Sequence, residues 1–110
     1  MSNIAANTGS ITLINTFYVT PEKADQLLQL LITATDEVMR QQPGFLSANL
    51  HMSLDKKRVV NYARWRSKEH FEAMQANPEA KPHMQQAAAL AEDFDPQLYT
   101  VAHVEDHGQS

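Results

Sequence analysis

The order of its hydrophobic patterns constrains the fold of this chain more than any other feature. Residues 11–19 (ITLINTFYV) are β-branched and aromatic, which is typical of a strand. Apolar residues then recur at helical spacing up to the QQPG segment. Two extended runs, residues 45–52 and 59–65, flank the turn-like segment SLDKKR and predict an antiparallel hairpin. A second helical region and a last strand over roughly residues 97–105 complete the order β-α-β-β-α-β.

Capping and breaking residues predict where the helices begin and end. Thr20 suits an N-cap and Pro21 suits the first helical position, so the first helix is expected to begin there and to run for about five turns. Ser67 is expected to cap the second helix. The helical region that follows is expected to be interrupted near Pro82.

This order of elements predicts an α+β fold of the ferredoxin-like split βαβ type, an antiparallel sheet with its helices on one face. The uncovered face is then expected to carry a set of apolar side chains: Leu46, Leu50, Met52, Val60 and Tyr62. Soluble monomers rarely expose a contiguous apolar area of this kind. The pattern therefore predicts a homodimer in which two sheets face one another, with the helices outside.

Composition limits the classes of function that remain. The 110 residues predict one domain over residues 11–105, between flexible ends at residues 1–10 and 106–110. A formal charge of −4 disfavours nucleic acid as a partner, and the lack of Cys excludes thiolate nucleophiles, disulfides and Cys-type metal sites. No signal-peptide pattern and no run of about 18 apolar residues is present, so no membrane association and a cytoplasmic location are expected.

A polar set on the predicted hairpin is the first candidate site. Because strand side chains alternate between faces, four groups are expected to look toward the helices together: Asn49, His51, Asn61 and Trp65. Asn15 on the first strand, whose face also holds Phe17, is expected to join them. Burying an unpartnered amide or imidazole costs about 1–3 kcal/mol, so the set indicates a pocket or an internal hydrogen-bond network. Taken singly, each residue is equally typical of an ordinary core or surface position.

The other polar motifs are weaker signals. The HVEDH segment places His103, Glu105 and His107 at alternate positions, but an edge strand that runs into a polar tail explains it better than a metal face. No metal site is therefore predicted. With only 3 Gly and no glycine-rich loop, a flavin or dinucleotide site of the Rossmann kind is not expected.

Three segments carry a family resemblance: PGFLSANLHMS, VVNYARWRSKEHF and KPHM. Over about residues 11–104 the chain resembles the antibiotic biosynthesis monooxygenase (ABM) family, whose domains form a dimeric α+β barrel. It is most similar to the cofactor-independent members that oxidise aromatic polyketide anthrones to quinones. The resemblance implies a monooxygenase with a small aromatic substrate and dioxygen as co-substrate, without flavin, haem or metal.

The resemblance also implies roles for individual residues. An anthrone that loses a ring C–H proton becomes electron-rich enough to reduce dioxygen, so the protein has to hold an enolate oxygen and move a proton. Asn61 and the Trp65 indole are expected to hold the oxygen, and His51 to take or relay the proton. The predicted substrate-binding residues are Asn15, Phe17, Asn49, Phe71, Met74 and His83. Phe71 stands where such enzymes carry a tyrosine.

Two other functions stay open. The haem-degrading branch of the family uses an Asn on the first strand, a Trp in the second helix and a His in the third helical segment. Asn15 matches the first and His83 lies within one position of the last, but Met74 stands about where the Trp would be. A non-catalytic small-molecule binder or stress-response domain would use the same pocket without turnover. Consumption of dioxygen separates these alternatives.

Overall fold

The computed structural model describes residues 9–107 and has the predicted order of elements. The elements are strand β1 (Ile11–Tyr18), helix α1 (Pro21–Glu37), strand β2 (Phe45–Met52), strand β3 (Arg58–Trp65), helix α2 (Lys68–Ala76), helix α3 (Lys81–Leu90) and strand β4 (Asp93–Tyr99), with a short 3₁₀ helix (Met39–Gln41) after α1. All strand pairs are antiparallel, in the order β2-β3-β1-β4. The ferredoxin-like fold is thereby confirmed. Most of the predicted flexible ends, at residues 1–8 and 108–110, lies outside the described residues.

The helix boundaries follow the capping residues. Helix α1 begins at Pro21 with Thr20 at its N-cap, and its 17 residues make close to five turns. The Ser67 hydroxyl accepts a hydrogen bond from the His70 backbone N–H at 3.1 Å and caps α2. Residues 77–80 separate α2 from α3, and Pro82 lies in the first turn of α3. The interruption therefore falls just before Pro82.

A tight turn sets the register of the β2–β3 hairpin. The Ser53 backbone N–H donates to the Arg58 carbonyl at 2.9 Å, and the Ser53 hydroxyl lies 2.7 Å from Asp55 Oδ1. The Ser53 hydroxyl and then the Lys57 backbone N–H hold the pKa of the Asp55 carboxyl below its usual range. Because folding lowers this pKa, the charged Asp55 carboxylate stabilises the turn at higher pH. The stabilisation is lost as the pH falls through the pKa of Asp55 in the folded protein.

The position of the last strand differs from the prediction. Strand β4 covers Asp93–Tyr99, so only residues 97–99 overlap the expected span of 97–105. The chain enters β4 directly after α3, where the Glu92 backbone N–H donates to the Tyr18 carbonyl at 2.7 Å. Pro96 is tolerated inside this strand because β4 lies at the edge of the sheet.

A β-bulge near the start of β2 decides which side chains face the helices. The register shifts between residues 45 and 47, and beyond the shift Leu50 lies opposite Asn61 and Met52 opposite Val59. Since Val59 is fully buried under the helices, Leu50 and Met52 face the core as well. The prediction that these two residues lie on the uncovered face is wrong, because the extra residue in the bulge reverses the alternation.

The helices cover one face of the sheet, and we call the other the open face. At its centre Ile14 lies opposite Tyr62 and Thr16 lies opposite Val60, and all four side chains are half-buried in the single chain. Leu46 is 37% exposed. No helix within residues 9–107 is long and apolar enough to cross a membrane. The cytoplasmic location stays a prediction.

Candidate active site

A cavity of about 160 Å³ lies between the sheet and the helices. On the same scale one water molecule needs roughly 10–15 Å³, so the cavity has room for an organic ligand. Its walls are mainly apolar and aromatic, and they include Leu13, Phe17, Phe45, Trp65, Phe71 and Met74.

Polar atoms enter this cavity from the two central strands. Asn15 on β1 lies directly opposite Asn61 on β3, and Trp65 lies four residues further along β3 on the same face. Asn15 Oδ1, Asn61 Oδ1 and Trp65 Nε1 are buried and have no hydrogen-bond partner among the described residues. Each such atom costs about 1–3 kcal/mol when left unsatisfied. Three of them around one cavity indicate a ligand that supplies the missing partners.

The indole of Trp65 is held in a fixed plane. Its side chain is 2% exposed, with Phe45 on β2 and Phe71 on α2 in edge-to-face contact at ring-centre distances of 5.5 and 6.0 Å. Such aromatic contacts contribute about 0.5–1.5 kcal/mol each beyond the burial of area. Phe71 therefore supports the indole from the position at which the enzymes that this chain resembles carry a tyrosine.

His51 and Asn49 do not line the cavity. His51 lies opposite Val60 and Asn49 opposite Tyr62, so both side chains point to the open face, where they are exposed. The prediction that they share the face of Asn61 is wrong for the reason that applies to Leu50, namely the bulge at residues 45–47. His51 consequently cannot reach a proton inside the cavity.

The other predicted site residues are brought together by the fold. Those that line the cavity are Asn15, Phe17, Asn61, Trp65, Phe71, Met74 and His83. Apart from His83, the residues that α1 and α3 contribute to the cavity wall were not predicted, among them Leu31, Thr35 and Met84. Their helical spacing marks them as inward-facing, but spacing does not separate a cavity wall from solid packing.

His83 is the one ionisable side chain among the described residues that line the cavity. It lies in the first turn of α3 and is half-buried. Residues 9–107 contain no group of three or more His, Asp or Glu side chains placed to hold a metal ion. The HVEDH segment follows the end of β4, and its His103 and Glu105 pair with each other at 3.0 Å on the surface.

Comparison with known proteins identifies the family of this chain. Residues 10–90 match the family model described as antibiotic biosynthesis monooxygenase. The tetracenomycin-F1 monooxygenase of Streptomyces glaucescens is 45% identical over 83 residues, which cover 76% of this chain and 74% of that protein. This family model and this relative both confirm the resemblance carried by the sequence segments.

Two solved structures show how closely the fold is shared. The monooxygenase ActVA-Orf6 of Streptomyces coelicolor, in complex with nanaomycin D, matches with a TM-score of 0.76 and 25% identity over 89% of this chain and 91% of that chain. SnoaB of Streptomyces nogalater, a cofactor-independent oxygenase, matches with a TM-score of 0.79 and 23% identity over 87% of this chain and 96% of its own, which shows the fold alone. The chain therefore belongs to the antibiotic biosynthesis monooxygenase family and is an enzyme of the monooxygenase class.

Proposed function

We propose that this enzyme uses dioxygen, without a cofactor, to oxidise an electron-rich polycyclic phenol, anthrone or hydroquinone to a quinone. The observation that carries the proposal is the set of unpartnered atoms of Asn15, Asn61 and Trp65 in an otherwise apolar cavity. The names of tetracenomycin-F1 monooxygenase and of the ActVA-Orf6 complex with nanaomycin D support an aromatic polyketide as the substrate class.

The three atoms match the oxygen-bearing edge of a hydroxylated aromatic ketone. The carboxamide oxygens of Asn15 and Asn61 accept hydrogen bonds from phenol hydroxyls, while the Trp65 N–H donates to a ketone oxygen. Negative charge develops on that ketone oxygen when the ring carbon loses its proton. A fixed donor in a dry cavity then stabilises the transition state more than the ground state, which is the condition for catalysis.

The chemistry balances without an external reductant. The substrate methylene loses a proton, and the resulting enolate passes one electron to dioxygen, so that the substrate radical and superoxide combine in a C–O bond. Loss of the second hydrogen with cleavage of the O–O bond leaves a carbonyl on the ring and releases the other oxygen atom as water. The sum is R₂CH₂ + O₂ → R₂C=O + H₂O, in which the substrate supplies all four electrons.

Oxygen uptake by the purified protein tests this proposal. Protein treated with a chelator and freed of small molecules would be offered 1,8-dihydroxyanthrone in ¹⁸O₂, with heat-denatured protein as the control for spontaneous oxidation. We expect one O₂ consumed per quinone formed and one labelled atom in the product. Ligand binding without uptake, over a panel of anthrones and hydroquinones, would contradict the proposal and favour the non-catalytic alternative.

We also infer that the enzyme is a homodimer joined through the open face. The half-buried apolar side chains of Ile14, Val60 and Tyr62 form the centre of that face, and the helices of the same chain cannot cover it. A second copy related by a two-fold axis would present the same surface and bury it. This assembly agrees with the dimeric barrel that the family resemblance implies.

A further inference from the structure

His83 is shared by two concave surfaces of the molecule. One is the cavity that holds Asn61 and Trp65, and the other is a shallow groove between α1 and α3. The groove is lined by Gln26, Gln29, Leu30, Thr33, His83 and Gln86, and its glutamines are exposed to solvent. Among the described residues, His83 alone lines both surfaces. Its half-buried imidazole therefore lies between the cavity and the groove.

The cavity needs a proton acceptor that its polar atoms do not provide. A carboxamide such as that of Asn61 and an indole such as that of Trp65 bind oxygen atoms but do not take up a proton near neutral pH. An imidazole does so, and it has two ring nitrogens that can bind and release different protons. His51, the acceptor expected from the family resemblance, lies on the opposite face of the sheet.

Among residues 9–107, no Asp, Glu, Lys or Arg side chain lines either surface. The other lining residues of the cavity, from the sheet and from α1, α2 and α3, are apolar side chains and the neutral polar side chains of Asn, Thr, Gln and Trp. The groove residues that α1 and α3 add are also uncharged. On the same helix, Lys81 is exposed to solvent and lines neither surface.

We propose that His83 accepts the proton that leaves the substrate carbon and releases a proton to water in the groove between α1 and α3. The C–H bond breaks, its electron pair stays on the substrate as the enolate, and a new N–H bond forms on the ring nitrogen that faces the cavity. The other ring nitrogen then gives its proton to groove water, which returns a neutral imidazole. This inference rests on the proposed function, since it needs a substrate with an acidic C–H group.

Proton abstraction can be measured without oxygen. Wild-type protein and His83→Gln would be mixed anaerobically with 1,8-dihydroxyanthrone in D₂O, and deuterium entering the methylene group would be followed by mass spectrometry. We expect the variant to lower the catalysed exchange rate by about 10²-fold or more, in the range of a lost general base. Gln is chosen because it keeps the helix propensity and the polarity at position 83. His103→Gln, at an exposed position, is the matched control.

Two further readouts separate proton transfer from a structural role. Added imidazole should restore exchange in His83→Ala but not raise it in wild-type protein, and the affinity for the quinone product should change far less than the exchange rate in all variants. The loss of kcat at acidic pH that a protonated base causes in wild-type protein should be absent in His83→Gln.

The outcomes distinguish this inference from the proposed function. Unchanged exchange in His83→Gln, or no catalysed exchange in wild-type protein, would overturn the role of His83 even if oxygen uptake is observed. Exchange that depends on His83 in a protein that consumes no oxygen would support the role of His83 and contradict the oxygenase proposal.

Discussion

The indole of Trp65 is fixed by its neighbours and yet free at its nitrogen. Phe45 and Phe71 hold the ring, while Nε1 finds no acceptor within residues 9–107. Trp65→Phe keeps an aromatic ring and removes the N–H group. We expect kcat for anthrone oxidation to fall by about 10²-fold, as for a lost oxyanion donor, and the free energy of unfolding to change by only about 1–2 kcal/mol.

Measurement of kcat and of the melting temperature on the same preparations decides between the two roles of Trp65. A lowered melting temperature with unchanged turnover per folded molecule would show that the indole serves only the core.

The two asparagines of the hairpin offer a matched pair. Asn61 lines the cavity, whereas Asn49 on the neighbouring strand is exposed on the open face. Asn61→Ala should lower kcat/KM for anthrone oxidation by about 10²-fold because it removes the acceptor that orients the hydroxyl-bearing edge of the substrate. Asn49→Ala should leave kcat and KM unchanged. An equal loss of activity in both variants would contradict the assignment of Asn61 to the site.

Single-residue positions were predictable where the strand was regular. Asn15, Asn61 and Trp65 lie on β1 and β3, which pair without interruption, so simple alternation placed them together. Asn49 and His51 lie beyond the bulge of β2, where simple alternation assigns each side chain to the wrong face. The apolar character of Leu50 and Met52 was the available signal, because a core face prefers those two side chains to an imidazole and an amide.

Gly44 immediately precedes β2 and its bulge. Its φ of +85° lies in the left-handed region, and an added Cβ would collide with the His70 side chain on α2. The Gly44 carbonyl also accepts a hydrogen bond from the Arg66 backbone N–H at 2.7 Å, which ties the start of β2 to the end of β3. Only glycine permits both the backbone conformation and the close approach.

Gly44→Ala should therefore destabilise the enzyme by about 1–3 kcal/mol or more, from backbone strain and collision together. Gly9→Ala is the control for strain alone, since Gly9 has a φ of +84° but nothing within 4 Å of an added Cβ. Chemical denaturation of both variants measures the difference. Equal losses in the two variants would mean that the contact with His70 carries no free-energy cost.

At the scale of elements, helices were predicted better than the last strand. Thr20, Pro21 and Ser67 are local signals, and local signals fix helix ends. Strand β4 depends on pairing with β1, which is distant in sequence, and its DFDPQLY segment carries a proline that argues against a strand when read alone. Its true position could not be derived from its own residues.

The molecule as a whole leaves one face of its sheet without a covering layer. If two copies meet there, a charge at the centre of the face should separate them. Ile14→Asp is expected to give a monomer in light scattering at micromolar concentration, because an unpaired carboxylate would enter an apolar contact. Leu54→Asp is the control, since Leu54 lies in the hairpin turn and is 104% exposed.

Wild-type protein that is monomeric under these conditions would contradict the dimer. So would a dimer that survives Ile14→Asp with its circular dichroism spectrum intact. If Ile14→Asp loses its circular dichroism spectrum, the variant has unfolded and does not report on the dimer. The milder Ile14→Thr then takes its place, and we expect it to raise the dissociation constant of the dimer.

The bulge of β2 also limits how the length of this chain can change. Because residues 45–47 place one more residue on β2 than on its partner, deletion of a single codon there would restore strict alternation along the strand. Leu50 and Met52 would then stay opposite Asn61 and Val59 and keep facing the helices, while Asn49 and His51 would keep facing outward. A shortening by one residue would therefore preserve the inner and outer surfaces of the strand, whereas a shortening by two would exchange them. Relatives with a working cavity should have this segment at the same length or shorter by the one bulge residue, and not shorter by two.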